Sequence, residues 1–132
     1  MGTTTIALTA AQLEQLASLA KTSLPSESCA FLLGKGDRVV EVLPMRNADE
    51  SAVTFSIEPS ELLQAYDLAE SKKLQVIGIF HSHPAKPAPS STDKKFMEIN
   101  PVVWLIYSTI EGQFKAYLYD DMVKEVAVKI KG

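Results

Sequence analysis

The apolar residues of this chain fall into short blocks with two different periods, and the blocks are separated by turn-forming residues. Thr9 followed by Gln12 has the form of a capping box, and Leu13, Leu16, Ala17 and Ala20 then recur at helical spacing. Pro25 closes that segment. The run "SCAFLLG" (Ser28–Gly34) is apolar and bounded by glycine, the pattern of a buried strand. The turn "GKGD" leads into Arg38–Leu43, a second strand, so the two predict a hairpin. Pro44–Ser51 is polar and loop-like, and Val53–Ile57 predicts another short strand.

A second helix is predicted from near Pro59, with Leu62, Leu63, Tyr66 and Ala69 forming its apolar face. "LQVIGIF" (Leu74–Phe80) is rich in β-branched residues and runs directly into His81. A short helix is predicted from about Ser90 or Ser91 to Ile99. Val102–Ser108 and Gln113–Tyr119 flank the turn "TIEG" as a strand pair. In Lys124–Lys131, Val126, Val128 and Ile130 alternate with polar or small residues, as in a half-buried strand. There is no repeat, low-complexity tract or linker. Residues 1–132 read as one α/β domain with hairpins, its sheet mixed or mostly antiparallel.

Composition narrows the class. A chain of 132 residues that is 46% hydrophobic can bury a core of its own. A net charge of −3 gives no electrostatic reason to expect nucleic acid, and the pairs Lys72–Lys73 and Lys94–Lys95 are too short for a polybasic patch. One cysteine rules out an internal disulfide and suits a reducing compartment. No apolar run is long enough for a membrane span, and Met1–Thr5 lacks the parts of a signal peptide. A soluble, cytoplasmic protein is expected, with neither nucleic acid nor membrane as partner.

Both histidines of the chain lie in "HSHPAKPAPSSTD" (His81–Asp93). On a strand, residues i and i+2 share a face, with Cα atoms about 6.5–7 Å apart, so His81 and His83 can aim both imidazoles at one ion. Catalytic zinc typically takes three protein ligands and keeps one open position. With no third histidine and a single cysteine, a carboxylate is the expected third ligand, and Asp93 is the nearest candidate. Each feature alone has a plainer explanation. An H-x-H pair is usually two surface residues, and Ser90-x-x-Asp93 is also a helix-capping arrangement. Their conjunction at the end of a buried strand favours a metal. Glu27, at the entrance to another buried strand, is the candidate general base. Cys29 lies inside that strand and reads as core.

These residues resemble the JAMM/MPN+ metalloprotease family, whose signature is a glutamate ahead of a strand, then His-x-His-Pro, then Ser-x-x-Asp. Here the parts are Glu27 in "PSESCAFLLG", His81-Ser82-His83-Pro84 and Ser90-Ser91-Thr92-Asp93, in the family's order across nearly the whole chain. Two departures stand out. Six residues separate His83 from Ser90 where seven are common, and Ala30 stands where many relatives carry glycine. Neither removes a reactive group.

The resemblance implies a single MPN-type domain, a mixed, mostly antiparallel curved sheet flanked by helices. It implies one Zn²⁺ per chain, held by His81, His83 and Asp93. The implied reaction is hydrolysis of peptide or isopeptide bonds after the C-terminal Gly-Gly of ubiquitin or a ubiquitin-like protein. Glu27 serves as base for the zinc-activated water and Ser90 as hydrogen-bond donor to the oxyanion. The segment "LPMRNADESAVTFSI" (Leu43–Ile57) lies where deubiquitinating relatives carry an insertion that pairs with the substrate tail; the pairing edge is expected at Met45–Thr54, with Met45, Arg46, Asn47, Ala52, Val53 and Thr54 as contacts. A second insertion has little room between Tyr107 and Gln113, so the chain reads as a minimal catalytic domain, similar to archaeal homologues of the proteasome-lid deubiquitinase. A larger proteasome-like assembly is therefore one partner to consider. Three other readings compete: trimming of a ubiquitin-like sulfur carrier, a non-enzymatic MPN scaffold, and a zinc nucleobase deaminase. The scaffold is disfavoured by the complete ligand set. A deaminase would need His-x-Glu and Pro-Cys-x-x-Cys, and this chain has neither.

Overall fold

A computed structural model describes residues 5–24, 26–45 and 59–131. In chain order these form β1 (Thr5–Thr9), α1 (Ala10–Ser23), β2 (Cys29–Lys35), β3 (Arg38–Met45), α2 (Pro59–Ser71) and β4 (Gln75–His83). They continue with α3 (Ser91–Ile99), β5 (Val103–Ser108), β6 (Gln113–Asp120) and β7 (Met122–Lys131). The capping box at Thr9 is formed in both directions, and Ser90 caps α3 in the same way. The β2–β3 hairpin turns at Gly36–Asp37, where Gly36 adopts φ +59, a value glycine takes without steric cost. The expected strand at Val53–Ile57 lies outside the described residues.

The sheet departs from the expectation in its closure. The seven strands close into a barrel in the order β1-β3-β2-β4-β5-β6-β7. Pairings β2–β3, β2–β4, β5–β6 and β6–β7 are antiparallel, while β1–β3, β1–β7 and β4–β5 are parallel. Antiparallel pairs are thus only a narrow majority of a mixed sheet. The closing strand, β1, is too short to announce itself by alternation, and its partner β7 lies at the far end of the chain.

Closure separates two apolar layers. Successive strand residues point to opposite faces. Ala30 and Leu32 of β2, Phe80 of β4 and Leu105 of β5 therefore face one way, packed with Leu16 and Ala20 of α1. Phe31 and Leu33 of β2, Ile79 of β4 and Trp104 of β5 face the other, covered by Ala65 and Ala69 of α2 and Met97 of α3. Both faces of β2 are covered, which explains its unbroken apolar run. Among the described residues, no helix is long and apolar enough to cross a membrane.

Candidate metal centre

The register of the central strands brings the candidate residues together. His81 sits opposite Cys29 of β2 on one side and Ile106 of β5 on the other. His83, two residues on, faces Ser108. Both imidazoles therefore stand on the layer covered by α2 and α3, where the ring of Trp104 meets His81 edge-on at 5.7 Å between centroids. Asp93 lies in the first turn of α3. Its carboxylate Oδ2 accepts the backbone N–H of Ser90 at 2.9 Å, which holds the side chain over the histidines.

Glu27 enters from the loop before β2. That loop is tied to β4 by Ser28 and Ser82: the Ser28 N–H donates to Ser82 Oγ at 2.9 Å, the two hydroxyls lie 2.9 Å apart, and the Ser82 N–H donates to the Ser28 carbonyl. Ser82 points to the opposite face from its histidine neighbours. Neither serine stands out in the sequence, because their partnership spans two strands.

The four groups converge at the end of β4 and are all buried, none more than 6% exposed. His83 Nε2 lies 2.9 Å and His81 Nε2 3.6 Å from Asp93 Oδ2. Glu27 approaches from the other side, with Oε1 at 3.7 Å from His81 Nδ1 and Oε2 at 3.7 Å from His83 Nε2. Four ligands held about 2.0–2.1 Å from a tetrahedral ion are separated by roughly 3.3–3.4 Å. The Asp93–histidine separations bracket that edge, so the donor set fits a metal ion. Glu27, His81 and His83 by themselves also offer ligand atoms within 4.8 Å of one another. Asp93 is the more natural partner of the two Nε2 atoms, because one of its oxygens faces both, whereas Glu27 meets His81 through Nδ1.

The charges of the cluster reinforce one another. Burial pushes His83 down, but its hydrogen bond to Asp93 and the nearby Asp93 and Glu27 carboxylates outweigh that, and the net direction is up. A hydrogen bond to the backbone of Lys86 acts in the same sense. Burial alone would raise Asp93, yet the His83 hydrogen bond, the His81 charge and the Ser90 N–H bring it down to about 2. Cys29, beside His81 in the ladder, behaves oppositely. Burial first, then Glu61 and Glu27, push its thiol up to about 12, and it donates to the Met45 carbonyl. It is a core thiol, as expected.

Ser90 lies beside Asp93, with its Oγ accepting the Asp93 N–H at 3.1 Å. A hydroxyl has one donor and two acceptor positions, so capping leaves its O–H available. Of the expected tail-binding residues, only Met45 is described, at the end of β3 opposite Cys29. Arg46, Asn47, Ala52, Val53 and Thr54 lie outside the described residues.

Residues 9–119 match the family described as prokaryotic homologs of the JAB domain. The chain is 44% identical over 105 residues to a Pyrococcus furiosus protein named desampylase, covering 79% of this chain and 74% of that one. It is 30% identical over 113 residues to the CysO-cysteine peptidase of Mycobacterium tuberculosis, covering 80% and 77%. A solution structure of a Desulfitobacterium hafniense protein superposes with a TM-score of 0.84 at 37% identity, over 96% of this chain and 92% of that one.

Proposed function

This chain belongs to the prokaryotic JAB-domain family and is a peptidase of it, and from that premise we propose that it is a zinc hydrolase cutting the bond after the C-terminal Gly-Gly of ubiquitin-like proteins. The observation that carries the reading is the convergence of two buried imidazoles and two buried carboxylates at the end of β4. The names of the two relatives, a desampylase and a CysO-cysteine peptidase, support this substrate class. None of the three similar proteins is named for a proteasome-like assembly, so the expected partner of that kind has no support.

In this reading His81, His83 and Asp93 hold the zinc. Once bound, the ion supplies Lewis acidity that polarises the scissile carbonyl and lets water ionise near neutral pH. Glu27 takes the proton of the attacking water and returns it to the departing amine, the work of a buried carboxylate that faces the histidines without being needed as a third ligand. Ser90 donates its free O–H to the oxygen on which charge develops, while its lone pair keeps α3 capped.

The substrate tail lies along the edge of β3 and the segment after it. β1 pairs with β3 only at Arg38, and the Gln12 side chain covers the Val39 and Val40 carbonyls. Among the described residues, the Glu41–Met45 edge is left open on that side. An extended Gly-Gly tail can pair with such an edge by β-augmentation, and glycine lets its backbone pass close to the imidazoles. Met45, Arg46, Asn47, Ala52, Val53 and Thr54 are the proposed contacts.

The test is metal analysis of the purified chain coupled to cleavage of a panel of ubiquitin-like fusions, each extended beyond Gly-Gly. One zinc per chain and chelator-sensitive release of the extension are expected. A zinc-loaded chain that cuts no member of the panel would overturn the reading.

A further inference from the structure

On the other side of the metal centre from β3, a groove of about 210 Å³ runs between the loop after β4 and strand β6. Its walls include Lys86, Pro87, Glu111, Gln113, Lys115 and Tyr117. The ladder places it relative to the site. Lys115 continues the row His81–Ile106–Lys115, and Gln113 continues the row His83–Ser108–Gln113. Residues side by side in neighbouring strands share a face. Lys115 and Gln113 therefore stand on the same face as the two histidines, two strands away, about 10 Å between Cα atoms.

The groove is anchored to the site. Its loop wall is bonded to a candidate ligand, because the backbone of Lys86 takes a hydrogen bond from His83. The two walls are joined where the Tyr117 hydroxyl donates to the carbonyl of the buried Pro87 at 2.9 Å. Lys86 and Lys115 are exposed, and among the described residues neither has an ion-pair partner. Glu111 brings one carboxylate from the β5–β6 turn, so the walls hold two cations and one anion, with Glu125 of β7 next to Tyr117 in the ladder.

We infer that this groove is the leaving-group subsite, and that Lys86 and Lys115 select leaving amines bearing a carboxylate within one or two residues of the scissile nitrogen. The inference rests on the proposed function. If the Gly-Gly tail lies along β3, the departing amine must leave toward the opposite side of the histidines. The groove there has room for one or two side chains, and its two wall lysines outnumber its one wall carboxylate. A carboxylate can come from two sources, the α-carboxylate of a single amino acid or an acidic side chain in a longer acceptor.

The experiment uses each ubiquitin-like protein of the panel, extended after Gly-Gly by alanine, by alaninamide, or by Ala-Glu with an amidated C-terminus. A higher kcat/KM for alanine than for alaninamide identifies the α-carboxylate, and a preference for Ala-Glu-amide identifies the side chain. Either outcome supports the subsite. Lys115→Gln should then reduce the preference by roughly two- to fivefold, the size of an exposed charge pair, with the change in KM and not in kcat. Glu111→Gln should increase it, and added salt should shrink it in the parent protein. Equal kcat/KM for the three extensions, or lysine and glutamate variants that alter all three alike, would overturn the subsite while leaving the proposed function standing. Failure to cut any extension by a zinc-loaded chain overturns both.

Discussion

The Ser28 N–H donates to Ser82 Oγ at 2.9 Å, so the residue after the candidate base is fastened to the residue between the two candidate ligands. Both serines are buried. Ser82→Ala removes an acceptor from a buried N–H and hydroxyl, and unmade buried hydrogen bonds cost about 1–3 kcal/mol. Loss of thermal stability by that amount is expected, together with a fall in kcat at unchanged zinc content, because the loop bearing Glu27 keeps only the backbone bond from Ser82 N–H to the Ser28 carbonyl. Parent-like stability and kcat would remove Ser82 from the positioning of the site.

His83→Ala and Asp93→Ala should each lose zinc under mild chelation, since each removes one of three proposed ligands. Metal analysis by mass spectrometry checks this directly. Full stoichiometry retained in both variants would refute the ligand assignment.

Glu27→Gln keeps size and hydrogen bonding but cannot accept a proton. Zinc content should stay at one per chain while kcat falls by about 10²–10⁴. Ser90→Ala should lower kcat by about 10²–10³ and also cost ~1 kcal/mol of stability through the lost cap. A fully metallated Glu27→Gln protein with near-normal kcat would assign the base elsewhere.

The metal-stripped protein should show a two-sided stability profile. Asp93 is depressed from 3.8 to about 2, so its contribution is complete above 3.8 and is lost as pH falls toward 2. His83 is raised above its ordinary 6.5, so its contribution is complete below 6.5 and is lost as pH rises through the folded value. Melting of the chelated protein should therefore be highest between these limits. Asp93→Asn should flatten the acid limb, and an unaltered limb in that variant would refute the coupling.

Cys29 has its thiol pushed up to about 12, and the thiolate is the nucleophile. Iodoacetamide at pH 8 should leave the native protein unmodified and label it fully once unfolded. Rapid labelling of the folded chain would show that β2 opens to solvent.

Much of this protein could be read from neighbouring residues alone. The capping boxes at Thr9 and Ser90, the helix after Pro59 and the strand leading into His81 are local in origin, set by spacing, branching and the hydrogen-bonding reach of a side chain. The i, i+2 placement of His81 and His83 is equally local, since the pleat puts both on one face. What pairs with what was a different matter. The parallel contact of β4 with β5, the joining of β1 to β7 and the resulting closed barrel depend on segments far apart in the chain, and no short-range period records them. The same holds at the site. The motif names Glu27, but only the β2–β4 register and the Ser28–Ser82 bonds carry its carboxylate to the histidines, and only the β4–β5–β6 rows put Lys115 on their face. Local pattern selects which side chains are available, whereas packing of distant strands decides which of them meet.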